Sequence, residues 1–397
     1  MVKTDKVKGF QDFVGDEALK RAKIMKIIQE QFELYGFEPA ETPTMEFEEF
    51  VKGDNPNDEA VRDVFKLEDR GGRKLALRYE FTFQLKRIAK NQKLPYKRFQ
   101  IGVVFRDEPI REGRSRQFIQ CDVDSVGSSI KDEAEILAVV DGIFKKLGIS
   151  VKVYINNRKL INEILVSENI AERDREQVIR ELDKLDKLSP KEVADTLSGH
   201  KNLPAGNLKK IGAEKLVKIF TGKEKDFVKY NFYKEIKELK KYCKSYGVSV
   251  EFRPFLARGL SYYNGSVFEV WSKELKVSLA GGGSYLVDKV QASGIAFGFE
   301  PINLLAKVDG DKTKVQIISV GQDKEAIELA GKLRGAGIST ILLLDKSIGK
   351  ALDYANSKGV AKVIFVGAEE VKKGKFKVKD MKTGKEEFLG EDKILKI

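Results

Sequence analysis

Between Phe105 and Asp124 the chain reads FRDEPIREGRSRQFIQCDVD, which sets four arginines (Arg106, Arg111, Arg114 and Arg116) among carboxylates, with Gly113 at the turn. Guanidinium groups keep their charge and can grip phosphate oxygens with paired hydrogen bonds, so a loop of this composition suits a polyanion. Glu108 can accept from an exocyclic amine, and Phe118 offers a ring on which a base can stack. This is the pattern of a nucleotide site without a glycine-rich phosphate cradle. The only histidine, His200, lies in the loop-like LSGHKNLPAG. Mechanisms that need Ser-His-Asp, Cys-His or several histidines on a metal are therefore excluded, and chemistry must rest on arginine, carboxylate and tyrosine.

These side chains need elements to hold them. Strand-like runs at Lys97 to Phe105 and Gln117 to Ser125 flank the arginine loop, and a further one covers Lys74 to Arg78. Helical periodicity marks Asp16 to Leu34, Phe83 to Lys90 and Lys131 to Lys146; the last stops at Gly148 before a strand at Val151 to Ile155. From Lys159 to about Lys244 the sequence is rich in lysine and glutamate, with helical period and no strand pattern. Strand character returns at Val248 to Phe252, Ser266 to Trp271 and Lys276 to Leu279, so one α+β domain is split by a helical insertion. Beyond the linker-like VDGDKTK at Val308 to Lys314, strands and helices alternate: strand Val315 to Val320, helix Lys324 to Gly335, strand Thr340 to Leu344, helix Ser347 to Lys358, strand Val363 to Val366. Two strands then turn at Thr383-Gly384. Such alternation describes a separate α/β domain with a largely parallel sheet. No G-x-G-x-x-G follows its first strand, which argues against a dinucleotide site there.

The chain has 397 residues, 42% of them hydrophobic, enough for two or three domains. Its net charge of +12 fits either an anionic partner such as nucleic acid or the lysine-rich surface of a heat-adapted protein. Asp311 to Ile397 alone holds 18 Lys and Arg against 13 Asp and Glu, a net of +5. Cys121 and Cys243 stand at no metal-ligand spacing and point to a reducing compartment. The N-terminal MVKTDKVKGFQDF has no signal-peptide core, and no apolar run approaches membrane-spanning length. A cytoplasmic protein is expected.

Over nearly its full length the chain resembles the histidyl-tRNA synthetases, class II enzymes of the aminoacyl-tRNA synthetase family. The resemblance is carried by KGFQDF, LRYEFT (Leu77 to Thr82), the arginine loop, QCDVD (Gln120 to Asp124), LARGLSYYNGSVFEV (Leu256 to Val270), AGGGSY (Ala280 to Tyr285), GIAFGFE (Gly294 to Glu300), KLRGAGI and VKDMKTGKEE. The lysine-rich form with a short insertion is similar to archaeal members. The resemblance implies a class II catalytic domain over residues 1–310, a six- or seven-stranded antiparallel sheet with flanking helices. It also implies a helical insertion at about 159–244 and an α/β anticodon-binding domain at 311–397. A homodimer built around Gly36 to Phe50, with Pro43 as the motif proline, is implied too. The reaction would join histidine to the 3′ end of tRNA(His) at the expense of ATP, with Mg²⁺.

Residue roles follow from the same resemblance. Arg106 and Arg258 would stabilise the charge on the α-phosphate as histidine attacks it. Glu108 and Phe118 would hold adenine, and Arg114 would meet the outer phosphates. Glu80, Thr82, Gln120 and Asp124 would surround the α-amino group and imidazole, with Arg106 and Arg258 at the carboxylate and Tyr262 and Tyr263 walling the pocket. Gly281, Gly282 and Gly283 would allow close backbone approach. Arg111 and Arg116 are expected to face solvent or tRNA, and Asp122 to be a structural ion-pair partner pointing away from Cys121 and Val123. The departures are Pro301 where the third class motif has an arginine on the γ-phosphate, Ser284 and Leu286 where arginine and aspartate are usual, and Ser261 for aspartate. Alternatives to the ligase are a catalytically reduced paralog that binds histidine or tRNA as a regulator, and a non-enzymatic RNA-binding protein.

Overall fold

A computed structural model of the chain describes residues 4–52, 63–110, 115–199, 210–258 and 262–397. Arg111, Arg114, His200 and Ser261 lie outside the described residues. The chain divides into two compact units, Met1–Phe13 with Arg21–Val308, and Val14–Lys20 with Asp309–Ile397.

In chain order the first unit supplies β1 (Glu38–Pro39), β2 (Met45–Phe47), β3 (Lys66–Glu68), β4 (Lys74–Leu77), β5 (Tyr96–Phe105) and β6 (Gln117–Val126). These are followed by β7 (Val151–Asn157), β8 (Val250–Phe252), β9 (Ser266–Ser272), β10 (Ser278–Val287) and β11 (Val290–Gly298). Strands β2, β4 and β3 form a small antiparallel sheet, and the other eight form one large sheet in the order β1-β5-β6-β11-β10-β9-β7-β8. The six central strands run antiparallel, while β1 lies parallel to β5 and β8 parallel to β7. The sheet is thus one or two strands wider than the resemblance implies. Its edge strand β1 is two residues long and carries no period-two signal, whereas the other edge, β8, falls within the strand expected at Val248 to Phe252. Strand β11 was legible only as a motif. Its hairpin to β10 turns through Asp288 and Lys289, both at positive φ (45° and 69°), and no Asn-Gly or Asp-Gly announces the turn.

Alternation along the strands divides the sheet into two faces. On one, Phe99, Cys121, Val123, Ile295 and Phe297 meet helices Gly15–Leu34 and Ile130–Lys146 through Ile24, Ile28, Phe32, Ile136, Ile143 and Phe144. Phe32 stacks on Phe99 with centroids 5.1 Å apart, and Phe144 lies 6.1 Å from Phe297. This face is apolar and helix-covered; the other carries Arg98, Gln100, Gln120, Asp122 and Asp124, buried polar side chains that need partners. Between β7 and β8 the described residues form helices Arg158–Ser167, Glu172–Leu182, Pro190–Leu197, Lys210–Phe220 and Tyr233–Ser245 and the 3-10 turns Asp183–Asp186 and Glu224–Phe227.

The second unit contains β12 (Val315–Val320), β13 (Thr340–Leu343), β14 (Lys362–Gly367), β15 (Lys375–Asp380) and β16 (Glu386–Gly390), in the order β13-β12-β14-β15-β16. The first three strands are parallel and the last two antiparallel, as the alternating pattern followed by a hairpin predicts. Val315, Ile317, Ile364 and Val366 pack on helix Asp323–Gly335, while Ile318, Val363 and Phe365 cluster with Ala351 and Ala355 of helix Ile348–Ser357. The hairpin turn is closed by Asp380, whose Oδ1 accepts from Thr383 N at 2.8 Å.

One departure from the family pattern sits in the first core. Ser284 of β10 points to the helix-covered side and donates to Oε1 of Glu133, while Glu133 Oε2 has no hydrogen-bond partner among the described residues. Burial pushes the Glu133 carboxyl up to about 7, opposed by hydrogen bonds from Ser266 and Ser284. A folded value above the unfolded 4.5 means that this group stabilises the fold fully below 4.5 and loses that contribution as pH rises through about 7. The shift corresponds to an effect on the order of 3 kcal/mol. Glu133→Gln removes the titration, so its unfolding free energy relative to wild type should rise between pH 5 and pH 8 by about that amount. Denaturant curves for the two proteins that stay parallel across this range would show that Glu133 ionises freely in the fold.

Candidate active site

Strand β5 ends at Phe105, and the next residue places its guanidinium between two rings, 4.3 Å from the Tyr79 centroid and 5.0 Å from Phe118. Arg106 Nη2 donates to Gln120 Oε1 at 3.0 Å, and Nη1 lies 4.0 Å from Glu108 Oε1. Gln120 in turn donates to Asp122 Oδ1 at 2.8 Å. Asp122 therefore does point away from Cys121 and Val123, but it accepts from Gln120 and orients it, where an ion pair was expected. The positions Gln120, Asp122 and Asp124 share one face because they alternate along β6.

Deeper in the same face is Arg98, completely buried, with Nη2 2.9 Å from Asp124 Oδ2 and 3.3 Å from Phe81 O. Its Nε and Nη1 have no hydrogen-bond partner among the described residues. Tyr285 donates its hydroxyl to Asp124 Oδ1, and Tyr262 lies 5.6 Å from Tyr285 and 4.7 Å from Tyr263. Glu80 accepts from Phe83 N at 2.8 Å and from the Thr82 side chain. Burial pushes the carboxyls of Glu80, Asp122 and Asp124 upward, against the pull of Arg98 on all three. Two buried carboxyls, Asp122 and Asp124, and the half-buried Glu80 facing one guanidinium form a cluster that a cation or a strong N–H donor would relieve.

On the opposite side Arg258 holds a left-handed backbone at φ 61°, with its N–H and that of Ala257 donated to Asp183 Oδ1 at 3.2 and 2.9 Å. Its Nη1 meets Glu269 Oε1 at 2.9 Å, and Trp271 Nε1 donates to the other Glu269 oxygen at 2.7 Å. Burial works against the charge on Arg258, but Tyr263 and Glu269 outweigh it and raise the affinity for the proton. Gly281 leaves room for it, since a Cβ there would lie 1.9 Å from Arg258 Nη1 and push the guanidinium aside.

Arg106, Glu108, Phe118, Gln120 and Arg258 line one cavity of about 400 Å³, together with Lys187, Glu269, Glu300 and Pro301. Glu80, Thr82, Asp124, Tyr262 and Tyr263 are not among the residues that line it; Asp124 and Glu80 face Arg98, Thr82 meets Glu80, Tyr262 packs on Tyr285, and Tyr263 hydrogen-bonds with Arg258. Arg116 pairs with Asp107 at 3.0 Å. Pro301 falls in the first turn of helix Phe299–Leu305, where a missing N–H costs nothing. Glu300 beside it is held by Arg21 at 2.6 and 3.1 Å. Sequence reading missed Arg98, Asp183, Lys187, Glu269 and Arg21. The polar alternation Arg98, Gln100 within KRFQIGVV was a signal for the first of these; the others carried none.

A family model described as histidyl-tRNA synthetase matches residues 9–301, and one described as an anticodon binding domain matches 314–397. The chain belongs to the histidyl-tRNA synthetase family. This synthetase is 32% identical to histidine–tRNA ligase 1 of Bacillus cereus over 97% of both chains. It is likewise 32% identical to the histidine–tRNA ligase of Methanocaldococcus jannaschii over 99% of both. Its fold is similar to that of a histidyl-tRNA synthetase from Nostoc sp. PCC 7120, with TM-score 0.85, 24% identity and coverage of 100% of this chain and 99% of that one. A Bacillus halodurans structure described as an ATP phosphoribosyltransferase regulatory subunit/histidyl-tRNA synthetase gives TM-score 0.77 at 24% identity, covering 93% of this chain and 100% of that one.

The close approach at Gly281 gives a direct test of the synthetase site. Gly281→Ala should displace Arg258 and cut adenylate formation by about a hundredfold or more, the scale for loss of one fixed charge stabiliser, while the circular dichroism spectrum stays unchanged. Near-normal pyrophosphate exchange in this variant would show that the Arg258 position does not matter.

Proposed function

We propose that this site activates histidine with ATP and passes it to the 3′ end of tRNA(His), with the roles divided between its two clusters. The observation that supports this most is the group of Glu80, Asp122 and Asp124 around Arg98, next to two cavity arginines. It offers acceptors to an ammonium and an imidazole N–H in the place where the arginines await a carboxylate and a phosphate. Glu80, Thr82 and Gln120 take the α-amino group. Asp124, oriented by Arg98 and Tyr285, accepts from the imidazole, with Tyr262 and Tyr263 as walls.

In the first step a histidine carboxylate oxygen bonds to the α-phosphorus, the bond to the bridging oxygen breaks, and pyrophosphate leaves with the electron pair. Arg106 and Arg258 stabilise the negative charge that gathers on the α-phosphate oxygens. Both guanidiniums are preorganised by neutral or acidic partners, Gln120 for one and Glu269 for the other. Phe118 stacks on adenine by the ring face that Arg106 leaves open, Glu108 accepts from its amine, and Arg114 meets the outer phosphates. Mg²⁺ bound to those phosphates would neutralise part of the leaving charge, and the cavity carboxylates Glu269 and Glu300, paired with Arg258 and Arg21, would be the side chains in reach of it. In the second step the terminal ribose hydroxyl of tRNA takes the aminoacyl group and AMP leaves.

The rest of the reading follows the family: a catalytic domain over 1–310 interrupted at about 159–244, an anticodon-binding domain over 311–397, a homodimer formed around Gly36 to Phe50, and a cytoplasmic location. No described helix is long and apolar enough to cross a membrane.

Histidine-dependent exchange of pyrophosphate into ATP, with and without tRNA, tests the activity. In that assay Glu80→Gln and Asp124→Asn should each raise the KM for histidine by about tenfold or more, the scale of one charge-assisted hydrogen bond, and leave the KM for ATP within about threefold. Equal losses for both substrates would separate these carboxyls from histidine recognition. Deleting Asp311 to Ile397 should leave exchange largely intact and weaken tRNA binding, which in the full chain should fall steeply with salt. Undiminished tRNA affinity in the shortened protein would sink the anticodon-domain assignment.

A further inference from the structure

One cation of the cavity has no role in the scheme above. Lys187 follows the 3-10 turn Asp183–Asp186, inside the helical segment between β7 and β8, and lines the same cavity as Arg106, Arg258 and Pro301. Its ion pair with Asp186 is loose, at 3.9 Å, and its side chain is 80% exposed. The other two cavity cations are engaged more closely, Arg106 with Gln120 at 3.0 Å and Arg258 with Glu269 at 2.9 Å. Three acidic residues line the cavity with Lys187, and each has another cation beside it; Glu108 lies 4.0 Å from Arg106 Nη1. Glu269 is taken by Arg258, and Glu300 is held by both terminal nitrogens of Arg21.

The turn that carries Lys187 is not loosely placed. Asp183 Oδ1 accepts the backbone N–H groups of both Ala257 and Arg258, so one carboxylate joins this segment to the residue whose guanidinium faces the cavity. Arg258 has a left-handed backbone, a conformation disfavoured for a residue with a Cβ, and the hydrogen bonds of its N–H and that of Ala257 to the half-buried Asp183 carboxylate compensate it. The position of Arg258 and the position of Lys187 are therefore set by the same turn.

The two guanidiniums of the cavity are engaged on the α-phosphate side in the scheme above, Pro301 contributes no donor, and the outer phosphates, which Arg114 and Mg²⁺ would also meet, have Lys187 as the remaining cation of the cavity lining. A lysine ammonium is a compact charge on a long stem, suited to phosphate oxygens that extend toward solvent. We propose that Lys187 binds the outer phosphates of ATP, and that Asp183 positions it by fixing the Asp183–Asp186 turn to the backbone of Arg258. This rests on the reading of the cavity as an ATP site.

Calorimetric titration with ATP and with AMP tests it, because only ATP has outer phosphates. Lys187→Ala should weaken ATP binding by about tenfold, the scale of a hydrogen bond to a charged group, and leave AMP binding unchanged, while Lys187→Arg stays within about threefold of wild type. Asp183→Ala should weaken ATP and also lower kcat for pyrophosphate exchange through Arg258. Asp183→Asn, which keeps an accepting oxygen, should restore both. Lys187 is exposed enough that its truncation does not disturb packing, so the Lys187 comparison stands even where Asp183→Ala fails to fold. ATP and AMP affinities that change equally, or an ATP affinity that does not change, would overturn the proposal. Loss of histidine-dependent exchange in the wild type, with Lys187-dependent ATP binding retained, would instead remove the ligase reading and leave the phosphate contact in place.

Discussion

Arg98 and Asp124 sit directly opposite each other in the pairing of β5 with β6, and neither has appreciable contact with solvent. Taking two charges out of water costs several kcal/mol per ion in practice, and only close mutual approach offsets it. The pair therefore tolerates one register. A slip of β5 by a single residue would send Arg98 to the face where Phe99 and Val123 meet the helices, leave Asp124 buried without it, and bring Phe99 to the polar face. The same register sets Gln120 opposite Gly102 and leaves Arg106 just past the end of β5, within reach of Gln120. Across β6 the partner of Asp124 is Gly294, where a Cβ would stand 1.9 Å from the carboxylate. Three strands are thus locked by one buried ion pair, and the nucleotide-facing loop and the carboxyl cluster are both placed by it. Breaking one side of such a pair costs about 3–5 kcal/mol, more than any surface contact in this sheet could return.

Much of this was legible in the sequence where local rules apply. The helix Ile130–Lys146 opens with the capping box Ser129 and Asp132 and was read within one residue of its start. The second unit followed its alternation almost strand for strand, and the arginine loop led to the cavity through Arg106, Glu108 and Phe118. What stayed hidden depends on distance along the chain. Asp183 has no motif around it, and its meaning comes from accepting two amides 74 and 75 residues away. Arg21 and Glu300, 279 residues apart, are equally silent. Strand β11 was hidden for a local reason, since a Asp288-Lys289 turn at positive φ lacks the glycine that normally marks one.

The departures at Ser284 and Pro301 fall on opposite faces of the sheet and have different consequences. Ser284 meets Glu133 among the helices, so its effect is on the ionisation of a buried carboxyl and on stability. Pro301 lines the cavity and affects only what can bind there. The backbone around it is unstrained because the first turn of a helix has no use for that N–H.

The Asp183 contact also bears on the order in which the protein assembles. Strands β5 and β6 are neighbours in sequence and can pair as a hairpin early, bringing Arg98, Asp124 and Gln120 together while most of the chain is still unfolded. The backbone of Arg258 cannot take its final shape until the whole helical segment has folded and delivered Asp183 to it, and Arg21 must find Glu300 across a still longer loop. Pairing of β5 with β6 and completion of the cavity are therefore separate events. A chain still being synthesised can hold Arg98 against Asp124 before Arg258 and Tyr285, both further along the chain, are set beside them.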